Sequence, residues 1–146
     1  MKITLTLLLV LVIFSLTSCY KENNIAGQLE GNWLITDLIW AKGNTVIDTS
    51  DSHVISFSAC EKAYTATCSG NYNLNYSDVN KADINATFKF DLKDDEIVFH
   101  TVSNNTVRNF LGQRFTLEDY KSGKLSLKRI DFRTDSTQAI IKASKQ

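Results

Sequence analysis

The chain has 146 residues, no proline, and 16 lysines and arginines balanced by 16 aspartates and glutamates. Without a basic stripe it offers nucleic acid no electrostatic footprint, and without a polybasic run the folded part has nothing to hold it on anionic lipid. Beyond its N-terminal segment the chain is long enough for one domain with a modest core.

Lys2 precedes an apolar run from Ile3 to Leu16, and Thr17, Ser18 and Cys19 come next. An early cation, an apolar stretch and small residues before a break are the regions of a secretory signal. The run falls short of the ~20 residues a spanning helix needs, and Tyr20-Lys21-Glu22-Asn23-Asn24 has no stop-transfer character. Leu16-Thr17-Ser18-Cys19 resembles the lipobox of bacterial lipoproteins, in which the cysteine is acylated and becomes the new N-terminus. The resemblance implies a signal peptide over 1–18 and lipidation of Cys19 by chains such as palmitate. It also implies a lasting membrane anchor, since several chains bury far more CH2 groups than one. The expected location is the outer membrane, facing the periplasm or the cell surface. Residues 19–28 then read as the lipidated cysteine and a flexible polar tether, and 29–146 as the folded domain.

From residue 31 onward the hydrophobic period is two. Gly31 to Trp40 opens the series, and Ile55 and Phe57 then alternate with Ser56 and Ser58. Tyr72, Leu74 and Tyr76 alternate with asparagines, and Ala82, Ile84, Ala86, Phe88, Phe90 and Leu92 alternate with polar residues. This is the pattern of half-buried strands with one wet face. Glu96 to Val102 lies in the middle, Arg114 to Tyr120 and Lys124 to Ile130 flank a Lys121-Ser122-Gly123 turn, and Gln138 to Lys142 closes the series. Strands are predicted near 31–40, 53–60, 63–76, 81–92, 96–103, 113–120, 124–131 and 137–143, with at most a turn over Ser103 to Leu111. The fold class is therefore all-β, as a single antiparallel up-and-down eight-stranded barrel, with a two-sheet sandwich as the alternative.

Cys60 and Cys68 remain as a pair in an exported chain, which reads as a disulfide. Free thiols, or a metal site shared with His53 or His100, are the alternatives, and structural zinc would need four close ligands. The bridge raises a question of register. If Cys60 opposed Cys68 in a regular hairpin, Phe57 would oppose Asn71, and Ile55 and Phe57 would share a face with asparagines. A one-residue slip restores them to the face of Tyr72 and Leu74. The sequence thus predicts a bulge or irregular loop between 58 and 70, with Gly70 as its candidate site.

Leu29-Glu30-Gly31-Asn32-Trp33-Leu34-Ile35 carries a Gly-x-Trp that looks like the opening of lipocalin and calycin barrels. With the lipobox and the strand series, the chain resembles bacterial lipocalin-like domain lipoproteins. The resemblance implies that Trp33 closes one barrel end and packs near a late-strand cation, Arg129 or Lys128. The chain departs from long lipocalins in its length and in lacking an evident C-terminal helix.

No catalytic motif is present: there is no Gly-x-Ser-x-Gly and no glycine-rich phosphate loop, so the chain reads as a non-enzyme without cofactor or metal. His53 is expected to be solvated at a strand start, and His100 to be buried on the face of Val98 and Val102. Asp94-Asp95-Glu96 reads as a solvated turn, with weak calcium binding as the alternative. Asp37, if it points inward, needs Arg108, Arg114 or Arg129. Asn75, Asn85 and Asn104 begin glycosylation sequons, and Asp135-Ser136-Thr137 resembles a bacterial O-glycosylation site. The expected function is binding of a small apolar or amphipathic ligand in the bacterial envelope. The pocket residues would be Trp33, Phe57, Tyr72, Tyr76, Phe88, Phe90 and Phe99. The alternative is a filled barrel that engages an envelope protein as accessory or inhibitor, with Trp40 or Tyr64 as exposed aromatics.

Overall fold

The computed structural model describes residues 21–40, 44–45, 51–63, 66–131 and 136–146. The leader 1–18, Cys19, Tyr64, Asp135 and the side chain of Trp40 lie outside the described residues. A helix, α1, covers 21–29. After it come β1 (Gly31–Trp40), β2 (Asn44–Thr45), β3 (Ser52–Phe57), β4 (Cys68–Asn75), β5 (Ile84–Lys93) and β6 (Glu96–His100). Helix α2 (Asn105–Leu111) then leads into β7 (Arg114–Asp119), β8 (Lys124–Asp131) and β9 (Ser136–Lys145).

All pairings are antiparallel, and β9 pairs back onto β1 from Trp33↔Lys145 to Trp40↔Ala139. That contact closes eight strands, β1 and β3 to β9, into a barrel and rules out the sandwich. The two-residue β2 lies beside the far end of β1. Closure joins the first and last strands to each other, so the sheet needs no proline to guard an edge. The period-two pattern now has its cause. Ala86, Phe88, Phe90 and Leu92 of β5 are buried inside, while Asn85, Thr87, Lys89 and Asp91 face water.

Residues 21–28, expected as a tether, are instead helical. Ile25, Ala26 and Leu29 form a short stripe buried in the barrel core. Burying Ile25 and Leu29 contributes roughly 1.5–3 kcal/mol each, which a local reading of a mostly polar segment does not register. The helix ends at Gly31, whose φ of 113° reverses the chain into β1. Its last carbonyls are satisfied from the barrel: Trp33 Nε1 donates to Leu29 O at 2.6 Å and Lys145 Nζ to Gln28 O at 3.2 Å.

The segment 103–111 also exceeds expectation, holding a two-turn helix. Asn104 Oδ1 caps it by accepting from Val107 N at 3.2 Å. Val107 and Leu111, one helical turn apart, are fully buried, and Arg108 donates from Nε and Nη2 to Val102 O. The topology puts α1 and the β5–β6 and β7–β8 turns at one end of the barrel, and α2 with the β4–β5 connection at the other.

The register of β3 on β4 is the slipped one. Phe57 pairs with Gly70 and Ile55 with Tyr72, so the apolar residues of both strands face inward. The ladder stops at Phe57, and an irregular loop carries the chain to the Cys60–Cys68 disulfide, whose Cα atoms are 5.6 Å apart. Gly70 itself sits inside the ladder and not at a bulge. Replacing both cysteines by serine is expected to lower stability by about 2.5 kcal/mol on the chain-entropy account. In urea titrations the midpoint should fall and the slope should rise, because the uncrosslinked denatured chain is less compact.

A bulge between Ile35 and Asp37 resolves the out-of-place charge. It turns Asp37 to the surface, where its Oδ2 lies 3.6 Å from Lys142 Nζ, so none of the three arginines is its partner in this ion pair.

Candidate functional site

Among the described residues the barrel interior is apolar apart from His53 and the hydroxyl of Tyr72. Across the middle of the barrel, inward positions of β3, β5, β6 and β7 are phenylalanines. Phe57, Phe88, Phe90, Phe99 and Phe115 stack edge-to-face or tilted, with centroids between 5.1 and 6.4 Å apart. These are favourable aromatic geometries. Trp33, Phe57, Tyr72, Phe88, Phe90 and Phe99 are all buried in the core, while Tyr76 is half-buried. The phenylalanines of the expected pocket therefore lie against one another, as a solid plug.

Trp33 closes the α1 end, but the cation beside it is Lys145, with Nζ 5.3 Å from the ring centroid. Arg129 pairs with Ala139 at the opposite end of β8–β9, and Lys128 binds Glu118 at 3.2 Å. Neither fills the place the resemblance assigned to it. The reason is register: β1 meets β9 with Trp33 opposite Lys145.

Toward the α2 end one buried polar side chain, His53, interrupts the apolar interior. His53 shares the inward face of Ile55 and Phe57 and is 2% exposed, so the expected solvated imidazole is incorrect. Its Nε2 lies 3.6 Å from Asp51 Oδ2. Asp51 is held in turn by Ser77, whose N and Oγ donate to Oδ1 at 2.9 and 3.0 Å. The imidazole meets Tyr76 edge-on at 5.3 Å, and Lys81 Nζ stands 5.3 Å from the centroid of the same Tyr76 ring. Tyr72, beside them on β4, is fully buried, and burial raises its hydroxyl pKa far above the usual phenol value, Tyr76 adding to the effect.

His53 Nδ1 is buried and has no hydrogen-bond partner among the described residues. Leaving such a group unmatched costs about 1–3 kcal/mol. The nearby Asp51 carboxylate, 3.6 Å from Nε2, favours the tautomer with its proton on Nε2, which leaves Nδ1 as the acceptor. The site can therefore receive one hydrogen bond from a hydroxyl or N–H. The sequence reading does not single out Asp51, although Asp51 and His53 are two apart and so share a face of an extended chain.

Burial lowers the His53 pKa below 6.5, with Asp51 opposing the shift. The folded state thus binds fewer protons than the unfolded state near and below that value. Stability is complete above the unfolded pKa and is lost as pH falls toward the folded one. The melting temperature should fall between pH 7.5 and 5 more steeply in wild type than in His53→Gln. Parallel curves for the two proteins would contradict this.

His100 is not buried: Ile97 and Phe99 take the inward positions, and His100 pairs on the surface with Asp91 at 3.2 Å. In the acidic turn, Asp95 binds Lys21 at 3.2 Å and Glu96 binds Arg114 at 3.4 Å. No group of three or more metal-ligating side chains occurs among the described residues.

No protein-family profile matches this sequence, and no curated protein matches it. Solved structures do resemble the fold. The crystal structure of a lipocalin-like protein from Bacteroides uniformis superposes with a TM-score of 0.54 at 17% identity, covering 82% of this chain and 100% of that one. An uncharacterized protein from Bacteroides eggerthii gives a TM-score of 0.49 at 15% identity, covering 78% and 98%. The first likeness is one of fold: this chain forms a lipocalin-like closed barrel.

Proposed function

We propose, with the lipocalin-like barrel as premise, that this chain is a membrane-anchored envelope lipoprotein that binds one small amphipathic molecule. Binding, without catalysis, is the role assigned to it. The observation that carries the reading is the unpartnered His53 Nδ1 on the inner face of a closed apolar barrel. A ligand that donates a hydrogen bond there and lays its apolar body along the interior would remove an unmatched acceptor and bury its own surface together. The phenylalanine plug limits such a ligand to the space beside His53, which favours a short or slender molecule with one hydroxyl or amide N–H.

The second reading is a filled barrel that engages an envelope protein, and the ring-on-ring packing of the phenylalanines favours it. Native mass spectrometry separates the two. Residues 20–146, exported to a periplasm and purified without detergent, should carry an extra mass that leaves on denaturation. His53→Phe should fold and lack that mass. A bare mass for wild type, still bare after incubation with an envelope lipid extract, would reject the ligand reading in favour of the second.

A further inference from the structure

We infer that the α1 end of the barrel rests on the lipid surface and that the α2 end, with His53, points away from it. The inference rests on the proposed acylation of Cys19. One residue, Tyr20, separates Cys19 from Lys21, where the described helix begins, and two Cα-to-Cα steps reach at most about 7 Å.

Helix α1 allows no slack beyond that reach. Lys21 at its start binds Asp95 in the β5–β6 turn, and Asn23 Oδ1 accepts from Ala63 N in the disulfide loop at 2.9 Å. Ile25, Ala26 and Leu29 are buried in the core. Lys145 and Trp33 hold its last carbonyls from β9 and β1. An acyl group at Cys19 therefore acts on the barrel as a rigid foot. The eight strands, at ~3.3 Å per residue and tilted ~40°, then lift the α2 end about 25 Å from the surface.

The surface at the α1 end suits a headgroup layer. A cleft of about 490 Å³ opens there between α1 and the β7–β8 turn, lined by Gln28, Tyr120, Lys121, Ser122 and Lys145. Tyrosine and lysine side chains are favoured where apolar and wet phases meet. Glu30, Glu61, Asp94 and Asp119 balance the exposed lysines around this rim. Contact is therefore set by the acyl foot, and the orientation should not depend on anionic lipid or salt. A ligand reaches His53 from the aqueous side, and the barrel does not extract it directly from the leaflet that anchors the protein.

The test uses the full acylated protein in phosphatidylcholine vesicles carrying a headgroup nitroxide. A fluorophore is attached to Lys121→Cys at the α1 end or to Val79→Cys, exposed at the α2 end. Lipid-dependent quenching should be at least fivefold stronger at 121 than at 79, and unchanged by added salt. Equal quenching, or stronger quenching at 79, on protein shown by mass to be acylated at Cys19 would overturn the orientation alone. Absence of acyl mass on Cys19 would overturn the anchor and, with it, this inference.

Discussion

Trp33→Ala is expected to destabilise the barrel by about 3–5 kcal/mol, the range for removing a large buried aromatic. Trp33 is fully buried, donates to Leu29 O and lies under Lys145. The substitution opens a cavity and also frees the end of α1, whose carbonyl loses its donor. Trp33→Phe keeps most of the volume but loses the indole N–H, so it should cost clearly less. Urea unfolding monitored by circular dichroism measures both. A cost below about 1 kcal/mol for Trp33→Ala would mean that the α1 end is not closed by this ring.

Gly70→Val should be nearly as damaging, at about 3 kcal/mol, the upper end for overpacking. Gly70 pairs with Phe57 on one side and Phe88 on the other. A Cβ there would come within 3.0 Å of both the Ser56 carbonyl and the Phe88 ring. The carbonyl belongs to a ladder and the ring belongs to the aromatic plug, so neither can retreat cheaply. Gly70→Ala should already cost more than about 1 kcal/mol, and thermal melts of the two variants should rank Val below Ala below wild type. A neutral Gly70→Ala would show that Phe88 does not lie over this position.

The strands are legible in the sequence because one face of each is wet, which makes the period visible. The slip between β3 and β4 is legible too, since only one register lets Ile55 and Phe57 share the face of Tyr72. Contacts distant in sequence decide the rest. Ile25, Ala26 and Leu29 become a helix because a barrel end is there to receive them. Lys145 meets Trp33 because of the offset between the first and last strands, which alternation leaves free: it fixes a face and not a partner. His100 departs from expectation because Ile97, Val98 and Phe99 are consecutive apolar residues, so either face could be the inner one. His53 is a different case, because Ile55 and Phe57 already mark its face as inward. Its position at a strand start suggests solvent, and the alternation is the truer guide. A buried polar residue that violates the local expectation is where function is to be sought.

The central claim is that His53 Nδ1 is an acceptor kept for a ligand's donor. Long-range 1H–15N correlation spectra of 15N-histidine-labelled protein test it directly. Spectra are taken as purified from a periplasm and again after extraction with organic solvent and refolding. The account predicts an Nε2–H tautomer in both samples, with the Nδ1 resonance moved toward the hydrogen-bonded position only before extraction. Identical Nδ1 resonances in the two samples, or a proton on Nδ1, would contradict it.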